Sequence, residues 1–112
     1  MKLEIRKANR LDFERLLSFL FEETPVIDYK KRDFFDEVLC QSGYSLLIAE
    51  ADGELAGVLG VSIIEGLGKK YPVAVLSGGK LCSCTGRERI SDALIMKAKE
   101  LAQRAGCKTV IS

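Results

Sequence analysis

From Lys2 to Ala8 the apolar residues Leu3 and Ile5 alternate with polar neighbours, a period of two that predicts a short opening strand. Asn9 is an N-cap candidate. Apolar residues then recur three and four apart from Leu11 to Leu20, so one stripe of a helix faces a core. Thr24-Pro25 ends that helix, because the residue before a proline is pushed out of the helical region. A second helix is expected from about Lys30 to Gln41, burying Phe34, Phe35, Val38 and Leu39, and Ser42-Gly43 stops it. The runs Ser45 to Glu50 and Leu55 to Ile64 read as two strands. Asp52-Gly53 between them tolerates positive φ at both positions, a strong hairpin signal. Gly66 and Gly68 mark another turn, and Tyr71 to Leu76 a further strand. Ser77-Gly78-Gly79 interrupts that strand, which implies a bulge or a close approach of backbone, and Leu81 to Cys84 resumes it. A basic turn, Thr85 to Arg89, leads into a helix from Ile90 to Ala105. Ile90, Ala93, Leu94, Ala98, Leu101 and Ala105 line one face, and Gly106 takes the C′ position. Cys107 to Ile111 forms a last strand. The order β-α-α-β-β-β-α-β describes an α/β (α+β) unit.

Composition narrows the chemistry. The 112 residues fit one domain, 1–112, with no linker or repeat to divide them, and 47% hydrophobic with 29% charged residues excludes wholesale disorder. A net charge of +1 argues against a broad phosphate-binding face, so no nucleic-acid partner is expected. The absence of histidine removes the commonest general base, histidine triads and histidine-ligated metals. Proton transfer must fall to Glu, Asp, Tyr, Lys, Cys or water. No apolar run approaches the roughly 18 residues needed to cross a bilayer, and MKLEIRKANR lacks a signal-peptide core, so a cytoplasmic protein without membrane contact is expected. Cys82-x-Cys84 is too tight for a zinc knuckle, and no second pair completes it with Cys40 and Cys107. The four cysteines are expected as free thiols and small core hydrophobes, with no metal site.

Two stretches together resemble the GNAT superfamily of N-acetyltransferases. Leu47-Ile48-Ala49-Glu50-Ala51-Asp52-Gly53-Glu54-Leu55-Ala56-Gly57-Val58 is similar to the family's second and third strands. Ile90 to Ile95, Lys97 to Ala102 and Gly106 to Ile111 resemble the helix-then-strand half of its acetyl-CoA motif. The resemblance spans nearly the whole chain. It implies a mixed, mostly antiparallel sheet flanked by helices, short of the family's C-terminal helix and hairpin. The family's loop, Gln/Arg-x-x-Gly-x-Gly/Ala, falls without gaps on Gly86 to Ser91. Gly86 then takes the Gln/Arg position, Arg89 the first glycine and Ser91 the small residue, so the motif is degenerate.

The resemblance implies acetyl-CoA as co-substrate and direct attack by an amine on its thioester. Cofactor binding would fall to the backbone of Leu81, Cys82 and Ser83, where an N–H polarises the carbonyl, and to Gly86, Arg87, Arg89, Ile90 and Ser91. Unpaired N–H groups at a helix start attract a diphosphate, and Arg87 and Arg89 are compatible with that, whereas Glu88 acts against it. The same three residues also read as a solvated helix start with local charge pairing. Glu65 is the nearest candidate base, and equally an exposed charge beside a glycine turn. Tyr29, Tyr44 and Tyr71 do not match the family's acid position. The last strand would be an open edge, which a second copy could cover as a homodimer. Competing readings are an inactive CoA-binding or protein-interaction module, and a small α/β binding protein with no CoA site.

Overall fold

In the computed structural model, which describes residues 2–21, 29–66, 70–82 and 86–112, five strands form one sheet in chain order. β1 (Leu3–Lys7), β2 (Tyr44–Ala51), β3 (Glu54–Ile64) and β4 (Val73–Leu81) are antiparallel neighbours, and β5 (Thr109–Ile111) joins β4 in parallel. Among the described residues the sheet is accompanied by three α-helices: α1 (Phe13–Phe21), α2 (Tyr29–Leu39) and α3 (Arg87–Arg104). The element order is the expected one, and so is the mixed, mostly antiparallel sheet flanked by helices. The helix stop at Thr24-Pro25, the turn at Gly68 and the positions of Ser83 and Cys84 lie outside the described residues, as does the side chain of Phe34.

Local signals explain the boundaries. The Asn9 side chain accepts a hydrogen bond from the Leu11 N–H at 2.9 Å, and Asp12 accepts one from the Asn9 N–H at 2.8 Å. This reciprocal cap opens a short turn, Arg10–Asp12, that feeds α1. Asp52 and Gly53 adopt φ of 52° and 85°, the left-handed pair a tight hairpin turn needs.

β2 is buried on both faces, which is why Leu46 to Ala49 is continuously apolar rather than alternating. On one face Leu47, Ala49 and Val61 pack against Ile90, Leu94 and Ala98 of α3; on the other, Ile48 and Val58 pack against Leu16 of α1. The buried stripe of α3 is Ile90, Leu94, Ala98 and Ala102. Ala105, expected on that stripe, is exposed because it is the C-cap, where the helix has already ended. α3 also begins three residues earlier than its apolar period implied. Arg87, Glu88 and Arg89 therefore form its first turn, not a loop before it.

Gly57 fixes how closely α3 approaches the sheet. A β-carbon there would lie 3.0 Å from Leu81 Cδ2 and 3.1 Å from both Ile90 Cγ2 and Leu94 Cδ1. Its absence lets the start of α3 settle against the end of β4, and the candidate site forms at that junction.

Candidate functional site

β5 pairs only with Val73, Ala74 and Val75, so beyond Val75 the outer edge of β4 has no strand partner among the described residues. On the inner edge, Ser77 faces Gly60 and Lys80 faces Val58, so β4 spends one extra residue there. Gly78 absorbs it at φ 64°. The interruption read at Ser77-Gly78-Gly79 is thus a bulge within one strand, not a break between two. Past it, a cavity of about 300 Å³ opens between β4 and α3, lined by Gly79, Lys80 and Leu81 on one side and by Arg87, Ser91 and Ile95 on the other.

The α3 end of this cavity is suited to an anion. Gly86, at φ 88°, is the N-cap and offers no side chain to cap the helix, so the first-turn amides keep their positive potential. Gly86, Arg87, Glu88 and Arg89 are exposed, Ser91 is half-buried and Ile90 is fully buried beneath them. Ile90 therefore anchors the turn through packing, and its own N–H is bonded to the Gly86 carbonyl at 3.1 Å. Among the described residues neither Arg87 nor Arg89 enters an ion pair, with Glu88 or with anything else. The local charge pairing that would have satisfied these side chains is absent, and two guanidinium groups stand open beside uncapped amides.

The strand residues expected to hold an acyl carbonyl divide. Cys82 donates its N–H to the Ala56 carbonyl at 2.8 Å, so that amide is spent on β3 and cannot polarise a ligand. Strand alternation turns the preceding amide, that of Leu81, toward the open edge. Ser83 lies outside the described residues. Cys82 is disulfide-bonded, while exposed Cys40 and buried Cys107 are free. The expectation of four free thiols is corrected at Cys82, because pairing depends on spatial separation, which sequence spacing does not supply.

Glu65 is not brought to this cavity. It follows β3 at the end where Ile64 pairs with Val73, the opposite end of β4 from Leu81. Val73 and Leu81 are the two ends of this nine-residue strand, roughly 25 Å apart. Glu65 is exposed there, and its charge adds to burial in pushing the Cys107 thiol upward. The sequence placed it correctly at a strand end but could not tell which end of the sheet that was. Lys80 is a cavity-lining residue for which periodicity gave no sign. Its ammonium points to the other face, bonding the Phe19 and Leu20 carbonyls at 2.6 and 3.3 Å near the C-terminus of α1.

Solved structures match this fold over almost the whole chain. A transcriptional regulator from Bacillus halodurans C-125 superposes with a TM-score of 0.83 at 22% identity, covering 98% of this chain and 80% of that one. Glucosamine-6-phosphate N-acetyltransferase from Arabidopsis thaliana gives 0.82 at 16% identity, covering 99% and 81%. A GNAT family acetyltransferase from Staphylococcus aureus subsp. aureus USA300_TCH1516 gives 0.81 at 19% identity, covering 99% and 85%. No family model matches the sequence, and no curated protein does. The chain has the GNAT fold. Among the described residues no helix is long and apolar enough to cross a membrane.

Proposed function

We propose that this chain binds acetyl-CoA, or a related acyl-CoA, along the open edge of β4 and transfers the acyl group to an amine. One observation carries the reading: the β4 edge beyond Val75, without a strand partner among the described residues, runs toward the doubly basic first turn of α3, which has no side-chain cap. Coenzyme A has that layout, with an extended amide-bearing arm attached to a diphosphate. The arm would add to β4 as a strand does, taking the Leu81 N–H. The diphosphate would sit on the amides of Arg87 to Arg89, with the two guanidinium groups completing its hydrogen bonds. Gly86 and Ser91 leave room at the helix start.

In the transfer step the amine nitrogen attacks the thioester carbonyl carbon. A carbon–nitrogen bond forms, the carbon–sulfur bond breaks, and the proton lost by nitrogen ends on the departing sulfur. An N–H on the open edge of β4 stabilises the oxyanion. Glu65 has no part in this step. The acetyltransferase structures above support an amine as acceptor, one of them being named for an amino sugar.

Calorimetry with acetyl-CoA tests the reading. Saturable heat at sub-millimolar ligand is expected, and neither heat nor a thermal shift at millimolar ligand would reject it. A second reading, an acyl-CoA-binding module without turnover, is favoured by the absence of any carboxylate in β4. Binding without amine-dependent release of free thiol would select it. We also infer that a second copy pairs along β5, whose residues are all exposed, with Val110 and Ile111 presenting apolar side chains. Light scattering should then report a dimer; a monomer at high concentration would dismiss that arrangement.

A further inference from the structure

Lys80 belongs to two parts of the molecule at once. Its residue lines the cavity between β4 and α3, on the wall that Gly79 and Leu81 complete. In register it pairs with Val58 of β3, and its side chain leaves on the face where Val58 packs against α1. There the ammonium donates to the Phe19 and Leu20 carbonyls at 2.6 and 3.3 Å and lies 5.5 Å from the centre of the Phe19 ring. Both carbonyls belong to the last turn of α1, which an α-helix leaves without internal partners and with partial negative charge. A cation supplied by the sheet closes that helix end.

The residues just before Lys80 explain why a tie is needed there. Gly78, at φ 64°, carries the bulge, and a β-carbon on it would meet nothing within 4 Å. Gly79 follows, so two residues without side chains lead into Lys80. Glycine leaves the backbone its widest freedom, and a bulge removes a rung of the ladder that would restrain it. Downstream the strand is fastened again, where the Cys82 N–H donates to the Ala56 carbonyl at 2.8 Å. Leu81, whose amide faces the open edge, stands between Lys80 and Cys82. A displacement of Lys80 displaces that amide, and the contact with α1 resists it on the side of the bulge.

We propose that Lys80 is a positioning residue that fastens β4 to the end of α1 and so sets where the Leu81 amide meets an acyl-CoA. Its role toward the ligand rests on the acyl-CoA reading, whereas the fastening belongs to the free chain. An acyl arm seated on the β4 edge acts, through Lys80, on the last turn of α1 across the sheet. Hydrogen bonds from an ammonium are stronger than neutral ones, so breaking these two carries a measurable cost.

Native-state amide exchange on the full chain, with Lys80→Met, Lys80→Arg and Lys99→Met beside the parent, tests the proposal. Met keeps an apolar stem over Phe19 and removes the donor, while Lys99 is exposed on α3 and controls for lost charge. In Lys80→Met the Cys82 and Leu20 amides should exchange about tenfold faster, as loss of a hydrogen bond to a charged group implies. Acetyl-CoA should bind it about fivefold more weakly. Lys80→Arg should recover most of both effects, and Lys99→Met should show neither. In the parent, acetyl-CoA should slow exchange at Leu20, and in Lys80→Met that distant effect should vanish. The Leu94 and Ala98 amides of α3 should keep their rates throughout, which separates local release from general unfolding. Where Lys80→Met loses the fold, Lys80→Gln, which keeps a neutral donor, should give the same pattern at smaller size. Faster exchange confined to α1, with Cys82 exchange and acetyl-CoA affinity unchanged, would make Lys80 a helix cap alone and overturn the assignment. A parent chain that binds no acetyl-CoA would remove the acyl-CoA reading, while exchange at Cys82 would still decide whether Lys80 holds the strand.

Discussion

Replacing Arg87 and Arg89 together by alanine is expected to weaken acetyl-CoA binding roughly thirtyfold, about 2 kcal/mol, while leaving thermal stability unchanged. Both side chains are exposed at the first turn of α3, and among the described residues neither is engaged in an ion pair. Their removal therefore breaks no structural contact and subtracts only what they contribute to a bound anion. A charge-assisted contact to phosphate is worth about 1.5–3 kcal/mol, and exposure places these toward the lower end. The remaining affinity would come from the uncapped amides and the β4 edge. The salt dependence should flatten in parallel, since two screened attractions are gone. Equal affinities for the parent and the double variant, measured by calorimetry at two ionic strengths, would make the arginines bystanders.

The largest expected stability effect lies elsewhere, in the carboxylates that tie the helical layer to the sheet. Asp12 is 3% exposed and takes a two-pronged contact from Arg6 of β1, with Nη1 and Nη2 donating at 2.9 and 2.8 Å. Arg6 also donates through Nε to Glu50 of β2 at 2.8 Å, and Arg15 of α1 reaches the same carboxylate at 3.4 Å. Asp12→Ala leaves the Asn9 N–H without its cap and strands Arg6 between one carboxylate and solvent. Breaking a buried pair costs about 3–5 kcal/mol. The Arg6 side chain is 37% exposed, so water recovers part of that, and about 2–3 kcal/mol is expected from the shift in urea midpoint. Asp12→Asn should lose less, because its amide oxygen can still accept from Asn9.

The same network sets an acid limit. Hydrogen bonding to Arg6 is the leading cause that holds both carboxyls below their ordinary values of 3.8 for Asp12 and 4.5 for Glu50. A depressed folded pKa means the unfolded chain binds the proton more readily. The stabilisation is thus fully present above the ordinary values and is lost as pH falls through the folded ones. Stability should hold from neutrality to about pH 5 and decline below it, and Asp12→Ala should show a shallower decline over the same range. A parent and variant with parallel acid profiles would contradict this assignment.

Much of the architecture was legible because it rests on local chemistry. Asp52-Gly53 announced a turn that demands two positive φ values, and Asn9 announced a cap that its side chain makes. The glycines at 78 and 79 marked the bulge. What was hidden depended on relations between distant segments. Arg87 to Arg89 carry no apolar period, so the first turn of α3 was invisible even though Ile90 revealed the rest of the helix. Counting along β4 could not say which amide faces outward, because the bulge at Gly78 resets the alternation; the bond from Cys82 to Ala56 decides it. Glu65 was placed at a strand end, yet only the pairing of Ile64 with Val73 shows that this end is remote from α3.

Amide shift mapping of the full chain during an acetyl-CoA titration bears most directly on the whole account. The largest perturbations should fall on two separate segments at once, Gly79 to Leu81 on β4 and Arg87 to Ser91 on α3, and the Cys82 amide should move less than that of Leu81. Perturbations absent at saturating ligand, or gathered on a surface that includes neither segment, would contradict it.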